Sequence, residues 1–209
     1  MNLANKITMF RIFLTVLLIV LLLFPFYMVN LEFPKILVGT ISVDVKYLIA
    51  AGIFAVASIS DALDGYIARS RNMVTDFGKM TDAIADKMLV NSTLIILSAQ
   101  GMISPVITVI VVFRDTVVDT IKMLAGSKGK VVAARKSGKV KTTFLMLGII
   151  FTLCYNLPFE LFNLDIANFL LVLATIFAII SGMQYYIDNK EIIFSKEEKL
   201  EIEDENIQK

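Results

Sequence analysis

The chain has 209 residues, of which 57% are hydrophobic and 19% charged, with a mean hydropathy of +0.76 and a formal net charge of +1. Soluble domains carry about 45–50% apolar residues and about 25% charge, so this composition points to a membrane protein. There is no histidine, which excludes imidazole acid–base chemistry and imidazole metal ligands; the single cysteine, Cys154, excludes an intrachain disulfide and reads as a small buried hydrophobe.

A membrane-crossing helix needs about 20 predominantly apolar residues. Six stretches meet this near 9–29, 45–67, 80–100, 105–124, 142–160 and 166–187. The first is too long for a signal-peptide core and has no small-residue cleavage site after it, so it reads as a permanent span. Lysine and arginine set the orientation. Lys6 and Arg11 lie at the start of span one, and Arg69, Arg71 and Lys79 between spans two and three. Lys122, Lys128, Lys130, Arg135, Lys136, Lys139 and Lys141 lie at or between the ends of spans four and five, and Lys190, Lys196, Lys199 and Lys209 after span six. The opposite side carries Lys35 and Lys46. The predicted fold is therefore all-α and polytopic, with six transmembrane helices and both termini cytoplasmic. One membrane domain, 1–187, precedes a charged cytoplasmic tail, 188–209. Tyr27, Tyr47, Tyr155, Tyr185 and Tyr186 fall near span ends, where interfacial aromatics belong.

Spans two and three carry acids. On a helix, Asp61, Asp64, Gly65 and Ala68 share a face at steps of three and four, and Gly78, Asp82 and Asp86 share another at steps of four. A turn joins the two helices, so they run antiparallel and can bring these faces together. Asp61 lies eight residues before Arg69, and Asp86 eight after Gly78, which places both roughly 12 Å in from the cytoplasmic ends. An Asp at a helix centre costs about 2.5–3.5 kcal/mol on insertion scales, and four together repel one another. Such a cluster needs cations or protons. An all-oxygen set suits Mg²⁺ or Mn²⁺ better than Zn²⁺. Gly65, Ala68 and Gly78 leave room for a flat or bulky ligand, although small residues also bring membrane helices together. Arg69 stands at the mouth with a fork suited to phosphate. The combination points to phosphoryl-group chemistry.

The full spacing, D-x2-D-G-x2-A-R-x8-G-x3-D-x3-D, is filled by Asp61, Asp64, Gly65, Ala68, Arg69, Gly78, Asp82 and Asp86. It resembles the signature of the CDP-alcohol phosphotransferase family. The segment Asn5-Lys6-Ile7-Thr8-Met9-Phe10-Arg11 and the stretch Gly138-Lys139-Val140-Lys141-Thr142 are similar to those of the bacterial branch that uses glycerol 3-phosphate. Two departures stand out. Ala83 follows Asp82 where that branch often has proline, and Arg114-Asp115, then Thr120-Ile121-Lys122, replace its usual Arg-Glu and Gly-x-Arg.

The resemblance implies an enzyme of the bacterial cytoplasmic membrane, multi-pass and with its active site facing the cytoplasm. It would transfer a phosphatidyl group from CDP-diacylglycerol to glycerol 3-phosphate, with two Mg²⁺ or Mn²⁺ ions on Asp61, Asp64, Asp82 and Asp86. Asp61, Gly65, Ala68, Arg69 and Gly78 would bind CDP-diacylglycerol, and Asp86 would serve as general base. An anionic acceptor needs further cations. Arg114, eight residues before Lys122 and so about 12 Å deep, is the leading candidate, with Arg135, Lys139 and Lys141. Asn5, Thr8 and Arg11 are further candidates. Lys87 reads as an ion-pairing residue, and Asp115 and Asp119 receive no role. Membrane lipids and a homodimer are the expected partners, and no nucleic acid. The alternatives are the same chemistry on phosphatidylglycerol, inositol phosphate or serine, an ion transporter whose acids line its path, and an inactive paralogue.

Overall fold

The computed structural model describes residues 3–39, 41–70, 76–130, 132–133 and 135–194; for 3, 4, 62–70, 76, 77, 79, 80, 83, 192 and 194 it describes the backbone alone. The chain is mostly helical. In order come α1 (Leu3–Leu23), strands β1 (Lys35–Val38) and β2 (Ile41–Asp44), then α2 (Val45–Ser70), α3 (Asp76–Ala99), α4 (Pro105–Ser127), α5 (Lys136–Leu153), α6 (Ile166–Asp188) and the short α7 (Lys190–Phe194). The expected tail beyond 194 lies outside the described residues.

The hairpin corrects the all-α expectation. β1 and β2 pair antiparallel, with Lys35 opposite Asp44 and Val38 opposite Ile41. Gly39, at φ 63°, opens the two-residue connection, as tight hairpins require of their first turn residue. Ile36, Leu37, Val38, Ile41 and Val43 supply the β-branched and apolar character that strands favour. Two span limits also shift. The first helix ends at Leu23 rather than near 29, because Pro25 cannot continue it and 26–29 form a 3₁₀ turn. The fifth begins at Lys136 and ends at Leu153; Tyr155 and Asn156 adopt positive φ and Pro158 follows, so 154–160 is not helical continuation.

By length and composition, two described helices can cross a membrane: Asn5–Leu23 and Ile166–Asp188. The other long helices carry the acids of α2 and α3, the charges Arg114, Asp115, Asp119 and Lys122 in α4, and Lys136, Lys139 and Lys141 in α5. Each of these lowers hydropathy where function would place charge.

The chain divides into two compact units, Met1–Thr108 with Leu145–Leu171, and Val109–Phe144 with Val172–Lys209. In the first, α1 packs along α2 and α3. Its buried stripe, Thr8, Arg11, Thr15, Leu18 and Leu22, advances by alternating steps of three and four. On α2 the stripe is Ala50, Phe54 and Ala57, ending at Asp61. The alanines let helices approach closely. On α3, Asp82 and Asp86 continue the line of Leu89 and Thr93. At the far end of this unit, the Asn156 amide donates to Glu160 Oε2 at 2.9 Å and to the Leu164 carbonyl at 2.7 Å. Its carbonyl oxygen accepts from Ala167 N at 3.0 Å, which ties down the loop into α6.

In the second unit, Val118, Ile121 and Tyr185 form a buried core joined by Val117, Val132 and Ile193. Tyr185 is therefore a core residue, not an interfacial one. Its hydroxyl donates to the Ala133 carbonyl at 3.3 Å and accepts from Arg135 N at 3.1 Å. Two residues past the end of α4, Gly129 at φ 68° lets Lys130 N bond the Ala125 carbonyl at 2.9 Å.

Candidate active site

Asp61 on α2 and Asp82 on α3 meet at one cation, the guanidinium of Arg11 on α1. Its Nη1 bonds Asp61 Oδ1 and its Nη2 bonds Asp82 Oδ1, with Asp86 Oδ1 3.8 Å from Nη1. Arg11 is fully buried, whereas the three carboxylates are 30–44% exposed. The Arg11 carbonyl accepts from Thr15 Oγ1 at 2.9 Å, within the same helix. Thr8, one turn earlier, is buried, and Asn5 is half-buried. Gly78 lies partly buried on α3. Asp64, Gly65, Ala68 and Arg69 belong to the last turns of α2, but their side chains lie outside the described residues.

The donor set suits a hard divalent ion. All ligand atoms on offer are carboxylate oxygens, with no histidine in the chain. Among the described side chains, one guanidinium faces three carboxylates at a partly exposed site. Among the described residues, no three acids stand close enough to enclose a metal by themselves. The expected four-carboxylate set includes Asp64, which is outside that description.

A second charged cluster lies within the other unit. Arg114 on α4 donates from Nε and Nη2 to Ser181 Oγ on α6, at 3.1 and 2.8 Å, and from Nη1 to Asp115 Oδ1 at 3.0 Å. Lys141 on α5 donates to both oxygens of Asp115, each at 2.9 Å. Lys141 is 5% exposed and Arg114 13%. The ring of Tyr185 lies under the Arg114 guanidinium, 5.7 Å from its centroid. Two glycines make room for this arginine. A Cβ on Gly138 would stand 3.3 Å from Nη2, and one on Gly182 would stand 3.2 Å from Cγ.

Of the four expected acceptor residues, the structure thus brings Arg114 and Lys141 together through Asp115. Arg135 instead pairs with Asp188 and is half exposed. Lys139 is exposed and has no described bond to the cluster. Sequence reasoning missed Asp115 and Ser181. The available signal for Asp115 was its place beside Arg114, expected from the sequence to be a deep cation, since buried cations require partners.

A sequence model described as CDP-alcohol phosphatidyltransferase matches residues 1–180. The chain is 38% identical over 192 residues to a Bacillus subtilis (strain 168) protein named CDP-diacylglycerol–glycerol-3-phosphate 3-phosphatidyltransferase, covering 92% of this chain and 97% of that one. Proteins of the same name from Mycoplasma genitalium and Rickettsia felis are 35% and 30% identical, over 76% and 88% of this chain and 67% and 93% of theirs.

Proposed function

The chain belongs to the CDP-alcohol phosphatidyltransferase family, and we propose that it transfers the phosphatidyl group of CDP-diacylglycerol to glycerol 3-phosphate, releasing CMP and forming phosphatidylglycerol phosphate. The observation that carries the reading is the meeting of Asp61, Asp82 and Asp86 at one buried cation, on helices whose spacing is that of the family signature. The names of the similar proteins support the donor and the acceptor.

In this reading the protein is a single membrane domain, 1–187, with six spans, both termini and the active site on the cytoplasmic side, and a charged tail. It works as a homodimer. Asp61, Asp64, Asp82 and Asp86 would hold two Mg²⁺ or Mn²⁺ ions, which would supply neutralisation of the diphosphate and of the departing CMP. Gly65, Ala68 and Gly78 leave space for the nucleotide, and Arg69 takes the phosphate of the donor. Asp86 accepts the proton of the acceptor hydroxyl. That oxygen forms a bond to the phosphorus bearing diacylglycerol, while the bond to the CMP oxygen breaks and CMP leaves with its electron pair. Arg114 and Lys141, with Arg135 and Lys139, attract the phosphate of the acceptor. Asp115 and Ser181 hold the Arg114 fork in place.

The test is an acceptor screen on purified protein with CDP-diacylglycerol and Mn²⁺, scored by CMP release and by lipid product. Glycerol 3-phosphate should give both. Turnover with phosphatidylglycerol, inositol phosphate or serine instead would reject the acceptor, and no CMP with any of them would reject the enzyme.

A further inference from the structure

The fully buried guanidinium of Arg11 stands on the carboxylate oxygens that a divalent ion would use. It comes from a different helix than the acids and reaches across, one Nη to Asp61 Oδ1 and the other to Asp82 Oδ1. A guanidinium this deep is costly unless paired, and carboxylates this close repel unless a cation stands among them. Each side therefore stabilises the other. An oxygen bonded to a guanidinium N–H has less of its charge to give to a metal, and the two cations repel at such range. Arg11 is carried on a flexible three-carbon stem, so the contact can be exchanged without moving α1.

We propose that Arg11 is a tethered counter-cation of the metal-free site: it holds Asp61 and Asp82 together when no metal is bound and gives up their oxygens to the incoming divalent ion. This rests on the reading of the cluster as a metal site. Arg11 thereby weakens metal binding while keeping the empty cluster intact. An arginine with a purely structural role would leave metal affinity alone, or support it.

The experiment titrates Mn²⁺ into the purified full chain in detergent and follows the free-ion resonance by electron paramagnetic resonance. Arg11→Gln removes the charge but keeps a polar side chain. It should bind Mn²⁺ about tenfold more tightly or better, the change expected from losing one competing charge-assisted contact. Without metal it should melt below wild type, and Mn²⁺ should raise its melting temperature by more than it raises that of wild type. Arg11→Lys serves if the glutamine variant does not fold. A single ammonium cannot span both carboxylates as a fork does, so Mn²⁺ should bind more tightly than to wild type, by a smaller factor. Unchanged or weaker Mn²⁺ binding in the folded variant overturns the proposal. Wild type that binds no Mn²⁺ sinks both this proposal and the metal reading beneath it; wild type that binds Mn²⁺ with Arg11-independent affinity sinks the counter-cation alone.

Discussion

Replacing Asp115 by asparagine should destabilise the protein and make that stability depend on phosphate. Asp115 is 15% exposed and accepts three hydrogen bonds, two from Lys141 Nζ at 2.9 Å and one from Arg114 Nη1 at 3.0 Å. Removing one member of a buried ion pair costs about 3–5 kcal/mol, because the remaining charge stays buried without compensation. Asparagine keeps one carbonyl acceptor, so the lower end, about 3 kcal/mol, is expected. For a chain of this size that is a fall of about 6–12 °C in melting temperature. The variant leaves two cations facing each other, so an anion should relieve it. Thermal unfolding of the detergent-solubilised variant, with and without glycerol 3-phosphate, makes the measurement. Glycerol 3-phosphate should raise the melting temperature of Asp115→Asn more than that of wild type. A variant as stable as wild type would refute the assignment of Asp115 as the counter-ion of Lys141. A destabilised variant indifferent to glycerol 3-phosphate would leave the pair structural and remove it from the acceptor site.

The remaining predictions concern the chemistry. Asp86→Asn should keep binding CDP-diacylglycerol while its turnover falls by about 10²–10⁴, the usual contribution of general acid–base catalysis; full activity would remove Asp86 as the base. Chelation should abolish CMP release, and Mg²⁺ or Mn²⁺ should restore it; rescue by Zn²⁺ alone would contradict an all-oxygen site. Arg114→Ala should raise KM for glycerol 3-phosphate by roughly 10–150-fold, the loss of one charge-assisted contact, with KM for CDP-diacylglycerol nearly fixed. An unchanged acceptor KM would show that Arg114 does not bind the phosphate.

The acids were legible because helical periodicity is local. Steps of three and four put Asp61 on one face of α2 and Asp82 with Asp86 on one face of α3. Arg11 was legible as a flanking positive charge and as a further candidate beside Asn5 and Thr8, but not as a partner of the acids. Its part in the cluster depends on α1 packing against α2 and α3, whose Asp61 and Asp82 lie 50 and 71 residues away in sequence. A sign of it was present nonetheless, since Arg11 keeps step with Thr8, Thr15 and Leu18 on the stripe that became buried. Asp115 escaped for the same reason. Its partner Lys141 is 26 residues further on, on another helix, and no local pattern links them. The hairpin was overlooked between two strong helical spans, although Ile-Leu-Val-Gly-Thr-Ile-Ser-Val has the β-branched and apolar content of strands around a glycine turn.

The balance of charge in each cluster assigns the sign of its ligand. Around Arg11, three carboxylates face one guanidinium, and charges in a partly dry site interact several-fold more strongly than in water. Among the described side chains these carboxylates outnumber the cation, which suits the metal ions proposed for transfer from a diphosphate. Around Asp115, the described bonds have Arg114 and Lys141 sharing one carboxylate, while Ser181 contributes only a neutral oxygen. Lys141 and Arg114 are both largely buried. Arg114 has five N–H donors, and its described bonds use one on Nε, one on Nη1 and one on Nη2, which leaves an N–H on each terminal nitrogen. A bidentate fork of this kind fits a phosphate. Serine or another acceptor lacking phosphate would leave those donors unanswered, whereas the phosphate of glycerol 3-phosphate suits them.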